Sequence, residues 1–322
     1  MTTKIKNWLT VMAMVAAVSN SSCALDEYNP SGYTMDALSN SVEGYQTILN
    51  NIYFGMERAM YGYGQFMWMT EGGTDIWTSQ KNADNLWLRY GMGSDFANNM
   101  TSGLLNAAYD GVCYCNLAIV QAEKTPFASD EERKQKVAEA YFMRAVYYYN
   151  MVEQLGGVKL QMAPVDNVDI HPGKDSPMDI YEKCIIPDLE FAAQWLPVED
   201  RTTRPSKKSA MGMLARACLQ SVEYDSSKKY VQRALEVAQE MINDCKAGGA
   251  ALGVYMYDNV EDVFDENNNF ENKEALWKHR YVAGGVSNQA WIMNQNNEQF
   301  YCPLTAFSAF QFKTDLHSGN KY

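Results

Sequence analysis

The chain has 322 residues, 47% of them apolar and 20% charged, with a formal net charge of −12. That apolar share can build a core and excludes a disordered chain, while 21 Gly and 9 Pro exclude a collagen-like or linker protein. So acidic a balance argues against nucleic acid or anionic lipid as the main partner, and three His leave little for a His-built metal or catalytic site.

Residues 1–22 read as a targeting segment. Lys4 and Lys6 precede a mostly apolar run from Trp8 to Val18, too short to span a bilayer as a helix. Ser19, Asn20, Ser21 and Ser22 then lead into Cys23. Small residues directly before Cys are the pattern of a bacterial lipoprotein, so Cys23 is the expected lipidation site. Two acyl chains anchor stably where one does not.

Apolar residues then recur with helical period. Helices are expected at 36–56 and 96–122. The clearest runs from 130 to 155, with Ser129 and Glu132 as a capping box and Gly156-Gly157 as its stop. Val137, Tyr141, Tyr148, Val152 and Leu155 share one face. Tyr147, Tyr148 and Tyr149 are split across faces by the helical spacing. The next helix has Ser176 as cap, Pro177 in its first turn, a kink at Pro187 and an end near Pro197. A third follows Pro205-Ser206 with Ala210, Leu214, Ala217 and Cys218 inward. A fourth follows Ser226-Ser227 with Ala234, Val237, Met241 and Cys245 inward. Cysteines in such stripes read as small buried hydrophobes, although an exported chain leaves disulfides open.

Residues 138–145, AEAYFMRA, and 210–217, AMGMLARA, repeat Ala and Arg-Ala in step at an offset of 72. That is two periods of the roughly 34-residue tetratricopeptide unit. The expected fold is mostly α, a tetratricopeptide-like scaffold of helical hairpins with an irregular, loop-rich second lobe.

Two loop-rich regions carry the chemistry a sugar needs. Pyranose C–H faces pack on aromatic rings, and edge amides, acids and guanidinium groups replace the water lost from hydroxyls. Region 61–90 offers Trp77, Asn85, Trp87 and Arg89; region 281–301 offers Trp291, Asn294 and Tyr301. The acidic stretch Glu261 to Asn269 lacks EF-hand spacing, so no metal is expected, and no cofactor motif occurs. A hydrolase would need two carboxylates across a sugar. Glu71 with Asp75, or Asp258 with Glu261, are candidates that no motif singles out.

Several pieces in order resemble the SusD/RagB family of surface glycan-binding lipoproteins. They are Cys23 with Leu25-Asp26 and Asn29-Pro30; Gly73-Thr74-Asp75; Tyr109 to Asn116; Ala138-Glu139-Ala140 with Arg144-Ala145 and Gly156-Gly157-Val158; Asp188-Leu189-Glu190; Arg204-Pro205-Ser206-Lys207; Ala215-Arg216 with Leu219; and Ala275-Leu276-Trp277. The resemblance implies a non-catalytic lipoprotein, anchored in the outer membrane at Cys23 and exposed at the surface. It would capture an oligosaccharide or polysaccharide for a SusC-type TonB-dependent transporter. It also implies a signal peptide at 1–22, a helical domain at 23–250 and the start of a second lobe at 251–322, with the family's C-terminal part shortened. The rival readings are a tetratricopeptide-like protein-interaction module and, less favoured, a glycoside hydrolase.

Overall fold

A computed structural model describes residues 38–56, 78–79, 95–165, 171–199, 204–265, 268, 272–278 and 300–301. The chain divides at Ala37 into two units. Met1–Ala37, which includes Cys23, lies outside the described residues, and Leu38–Tyr322 holds every element below.

The elements are α1 (Val42–Met56), β1 (Thr78–Ser79), α2 (Asp95–Gln121), α3 (Asp130–Leu155), α4 (Pro177–Ile180), α5 (Ile186–Trp195), α6 (Lys207–Gln220), α7 (Val231–Lys246), α8 (Val260–Phe264) and β2 (Phe300–Tyr301). Each long helix packs on its chain neighbour: α1 on α2, α2 on α3, α3 on α5, α5 on α6 and α6 on α7. The short link from α2 to α3 and that from α6 to α7 make helical hairpins.

Local chemistry sets the helix ends. Ser129 accepts the Glu132 N–H at 3.1 Å, but Glu132 returns its carboxylate to the Ala128 N–H at 2.9 Å, one residue before the cap. Gly156 ends α3 at φ 72°, its N–H on Val152 O. Left-handed backbone there costs glycine nothing. The expected kink at Pro187 takes a definite form. Proline offers no N–H to the preceding turn, and residues Tyr181–Ile185 widen into a π turn in which the Ile186 N–H reaches Tyr181 O. The fourth helix starts later than the sequence suggested. The Asp225 carboxylate takes the N–H groups of Ser227 and Lys229 at 2.9 and 3.1 Å. That Asx-type turn holds 226–229 out of the helix, which begins at Val231.

One core runs through the array. Tyr45, Ile48 and Ile52 of α1, Leu104 and Ala108 of α2, and Phe142, Tyr147 and Tyr148 of α3 are buried in it. So are Leu189 of α5 and Leu214 of α6. Tyr147 and Tyr148 are fully buried while Tyr149 is partly exposed. Cys115, Cys184 and Cys218 are buried, Cys245 is half-buried and Cys113 is exposed; all five are free thiols.

Small residues set the closest approaches. A Cβ on Gly111 of α2 would stand 2.2 Å from Tyr147 Cζ of α3. With hydrogen there, the Tyr147 ring crosses α2 and its hydroxyl donates to Ile52 O of α1 at 2.5 Å.

Candidate functional site

Two ion-pair networks, one buried and one partly buried, tie the scaffold helices together. Arg144 of α3 forks onto Asp188 of α5, Nε to Oδ2 at 2.7 Å and Nη2 to Oδ1 at 2.9 Å. Its Nη1 donates to Asn116 Oδ1 at 2.7 Å. Burial opposes the Arg144 charge, but the bonds to Asp188 hold its pKa above the ordinary guanidinium value. The Cys184 thiol donates to the same carboxylate at 3.4 Å, and burial pushes that thiol well up.

The network also straps down the segment that follows α3. Asn116 Nδ2 donates to Gln161 O and Ala163 O at 2.9 and 3.2 Å. The Tyr148 hydroxyl accepts the Gln161 N–H at 2.6 Å. The Tyr109 hydroxyl donates to Lys159 O at 2.7 Å, and burial pushes its pKa up to about 12. Backbone groups of a non-helical segment thus find side-chain partners.

The second network sits where α1 ends. Tyr53 donates to Glu139 Oε1 at 2.7 Å, and Arg204 pairs with the same oxygen. The Arg204 guanidinium carbon lies 4.7 Å from the Tyr53 ring centroid. Its other nitrogen reaches Asn50.

Near the far end of the described chain, residues 272–277 return to the scaffold. Lys208 Nζ donates to Lys273 O at 3.2 Å and the Ser209 hydroxyl to Leu276 O at 2.6 Å. Leu276 fills the slot left by Gly212, where a Cβ would meet Leu276 Cδ1 at 2.4 Å. Trp277 stands edge-on to Phe142, centroids 5.2 Å apart.

These contacts bear on the two aromatic regions. Region 61–90 follows α1 in the chain, and region 281–301 follows Lys278. Tyr53, one turn before the end of α1, is anchored at Glu139; Trp277 is anchored at Phe142. Glu139 and Phe142 stand three apart on α3, where helix positions are neighbours, so both anchors fall on one turn of that helix. Their backbones meet again in an antiparallel pair, with Thr78 opposite Tyr301 and Ser79 opposite Phe300. Thr78 follows Trp77 in the sequence. Cys23, Trp77, Asn85, Trp87, Arg89, Trp291 and Asn294 lie outside the described residues, and Tyr301 is described for its backbone alone.

Glu139, Arg144, Asp188 and Arg204 entered the sequence reading as isolated motif letters. Their pairing across 44 and 65 positions carries no local sequence signal. The anchoring role of Trp277 was also missed, and only its place beside Leu276 hinted at it.

A family profile described as "Starch-binding associating with outer membrane", of SusD-like type, matches residues 25–219. A SusD-like protein P2 of Formosa agariphila is 30% identical over 204 residues, 62% of this chain and 37% of the relative. A SusD-like protein of Bacteroides ovatus is 28% identical over 224 residues, 68% of this chain and 37% of the relative. The chain thus spans little more than a third of these relatives. A solved laminarin-binding SusD-like protein superposes with a TM-score of 0.62 at 20% identity, over 74% of this chain and 51% of that one. The likeness is one of fold, a tetratricopeptide-like stack of hairpins.

Proposed function

The chain belongs to the SusD-like family, and from that premise we propose that it is a non-catalytic glycan-binding protein of the outer membrane. It captures an oligosaccharide or polysaccharide on aromatic loops and hands it to a SusC-type TonB-dependent transporter. Residues 1–22 act as the signal peptide and Cys23 carries the lipid anchor. Residues 23–250 form the helical domain and 251–322 begin the second lobe. The observation that supports this reading best is the meeting of the two aromatic regions. Tyr53, ahead of the first region, and Trp277, ahead of the second, contact one turn of α3, and the two regions pair by backbone at Thr78 and Tyr301. On this reading Trp77, Asn85, Trp87, Arg89, Trp291, Asn294 and Tyr301 contribute to one site. Stacking faces from one region and polar edges from both would then grip one sugar chain.

Titration with a panel of soluble glycans, followed by intrinsic tryptophan fluorescence, tests the capture role. A saturable change with one glycan class, lost in Trp77→Ala or Trp291→Ala and accompanied by no reducing-sugar release, is the expected result. A folded protein blind to every glycan would favour the protein-interaction reading, and reducing-sugar release the hydrolase. Membrane fractionation tests the anchor: Cys23→Ala should free the protein into the soluble fraction.

A further inference from the structure

We propose that the cleft between α5, α6 and α7 is a second carbohydrate subsite, built on the helical scaffold and separate from the loop site, for a short neutral sugar unit. Glu190, Phe191 and Gln194 come from α5, Lys207 from α6, and Arg233 and Glu240 from α7. The cleft encloses about 460 Å³, within the roughly 300–1,000 Å³ range of small-ligand sites.

The charges argue for an uncharged ligand. Two acids and two bases line the cleft and cancel, on a chain whose net charge is −12. One pair is already closed. Arg233 forks onto Glu190, Nε to Oε1 at 2.6 Å and Nη2 to Oε2 at 2.7 Å, which fixes one wall. Among the described residues, the Lys207 ammonium, the Glu240 carboxylate and the Gln194 amide have no side-chain partner. These are a donor, an acceptor and a group that is both. A vicinal diol can give its protons to a carboxylate and accept from an ammonium and an amide. Phe191 adds a flat apolar wall and is half-buried against Tyr141, ring centroids 4.6 Å apart, and beside Trp195 at 6.4 Å. Its ring is therefore set before a ligand arrives, which lowers the ordering cost of binding. An amino-acid zwitterion would also satisfy the two open charges. The choice of a sugar rests on the capture function proposed above.

Isothermal titration of the full chain with maltoheptaose, laminarihexaose and glycine tests this. The double variant Lys207→Gln/Glu240→Gln changes exposed or half-exposed side chains, and its helical circular dichroism should match the parent. The expected result is two classes of site for one of the sugars. The double variant should weaken one class about tenfold and leave the other, while Trp77→Ala should do the reverse. Sugar binding unchanged in the double variant yet abolished by Trp77→Ala would overturn the scaffold subsite and leave the capture reading standing. Binding of glycine that the double variant abolishes would overturn the sugar assignment. No binding of either sugar would overturn the scaffold subsite and leave the capture reading to the wider glycan panel.

Discussion

The two repeated segments, AEAYFMRA in α3 and AMGMLARA in α6, occupy the same structural role and do different work. Their alanines are alike: Ala138, Ala145, Ala210 and Ala217 are all buried where helices meet. Their arginines are not. Arg144 is 3% exposed and holds Asp188 and Asn116, whereas Arg216 is exposed beside an apolar groove between α6 and α7. The small residues are what the hairpin geometry requires, and the arginine is free to be specialised. In α3 it ties three helices and the 161–163 segment together.

The sharpest way to break this contrast is to remove each arginine in turn. Arg144→Ala leaves the Asp188 carboxylate buried and unpaired, which should cost about 3–5 kcal/mol. Arg216→Ala should stay within about 0.5 kcal/mol of the parent. Urea unfolding of both would read the difference. Since paired buried charges can be replaced by apolar groups at little net cost, Arg144→Met with Asp188→Leu should recover much of the loss. No recovery would mean that the Asn116 arm, and not the ion pair, carries the stability.

The glycines offer a second comparison. Gly111 faces the fully buried ring of Tyr147, with two ring atoms and the hydroxyl oxygen within 2.6 Å of where a Cβ would lie. Gly111→Ala gains about 1 kcal/mol of helix propensity but overpacks by about 1–3 kcal/mol. A net loss on the order of 1–2 kcal/mol in thermal unfolding is expected. A gain would show that α2 and α3 can move apart at little cost.

The segments that follow the two halves also differ. After α3 the chain is held by Asn116 and Tyr109 of α2, by Tyr148 of α3 and by Asp175 of the linker itself. After α7 it is held by one residue of the helix itself. Asp244 accepts the N–H groups of Ala251 at 2.8 Å and Val254 at 3.0 Å. Burial works against its charge, yet those bonds keep its pKa below the usual carboxylate value. A depressed native pKa adds stability that is present above the unfolded value, near 3.9, and lost as pH falls through the native one. The Val254 amide proton should therefore shift with a midpoint below 3.9. A midpoint at or above that value would mean the bonds do not favour the ionised form.

Much of this was legible in the sequence. Periodicity and caps gave α3 almost to the residue and the start of α6, because Ser129, Gly156-Gly157 and Ser206 act on their own neighbours. The start of α7 was misread, since Asp225 competes for the N–H groups that Ser226-Ser227 promised to the helix. Pro187 announced a kink but not the π turn, which depends on where the strain is absorbed. The ion pairs were invisible as pairs, because nothing local links Glu139 to Arg204. The candidate sugar residues were chosen for chemistry alone. What bears on them is backbone, the Thr78–Tyr301 pairing.

The smallest expected effect falls on Gly212 of α6, a second glycine at a close approach. Here the atom in the way is Leu276 Cδ1, the tip of a side chain that is itself partly exposed, and not a buried ring. Gly212→Ala should gain about 1 kcal/mol of helix propensity and lose a similar amount as Leu276 is displaced, leaving global stability near that of the parent. The consequence should be local. Leu276 shares its segment with Trp277, and the Ser209 hydroxyl holds the intervening carbonyl. Shifting Leu276 should therefore loosen the Trp277–Phe142 contact and quicken amide exchange over 273–277, with α6 unchanged. If exchange there is unchanged as well, Trp277 and not Leu276 anchors the segment, and Trp277→Ala becomes the substitution that frees residues 272–278 from α3.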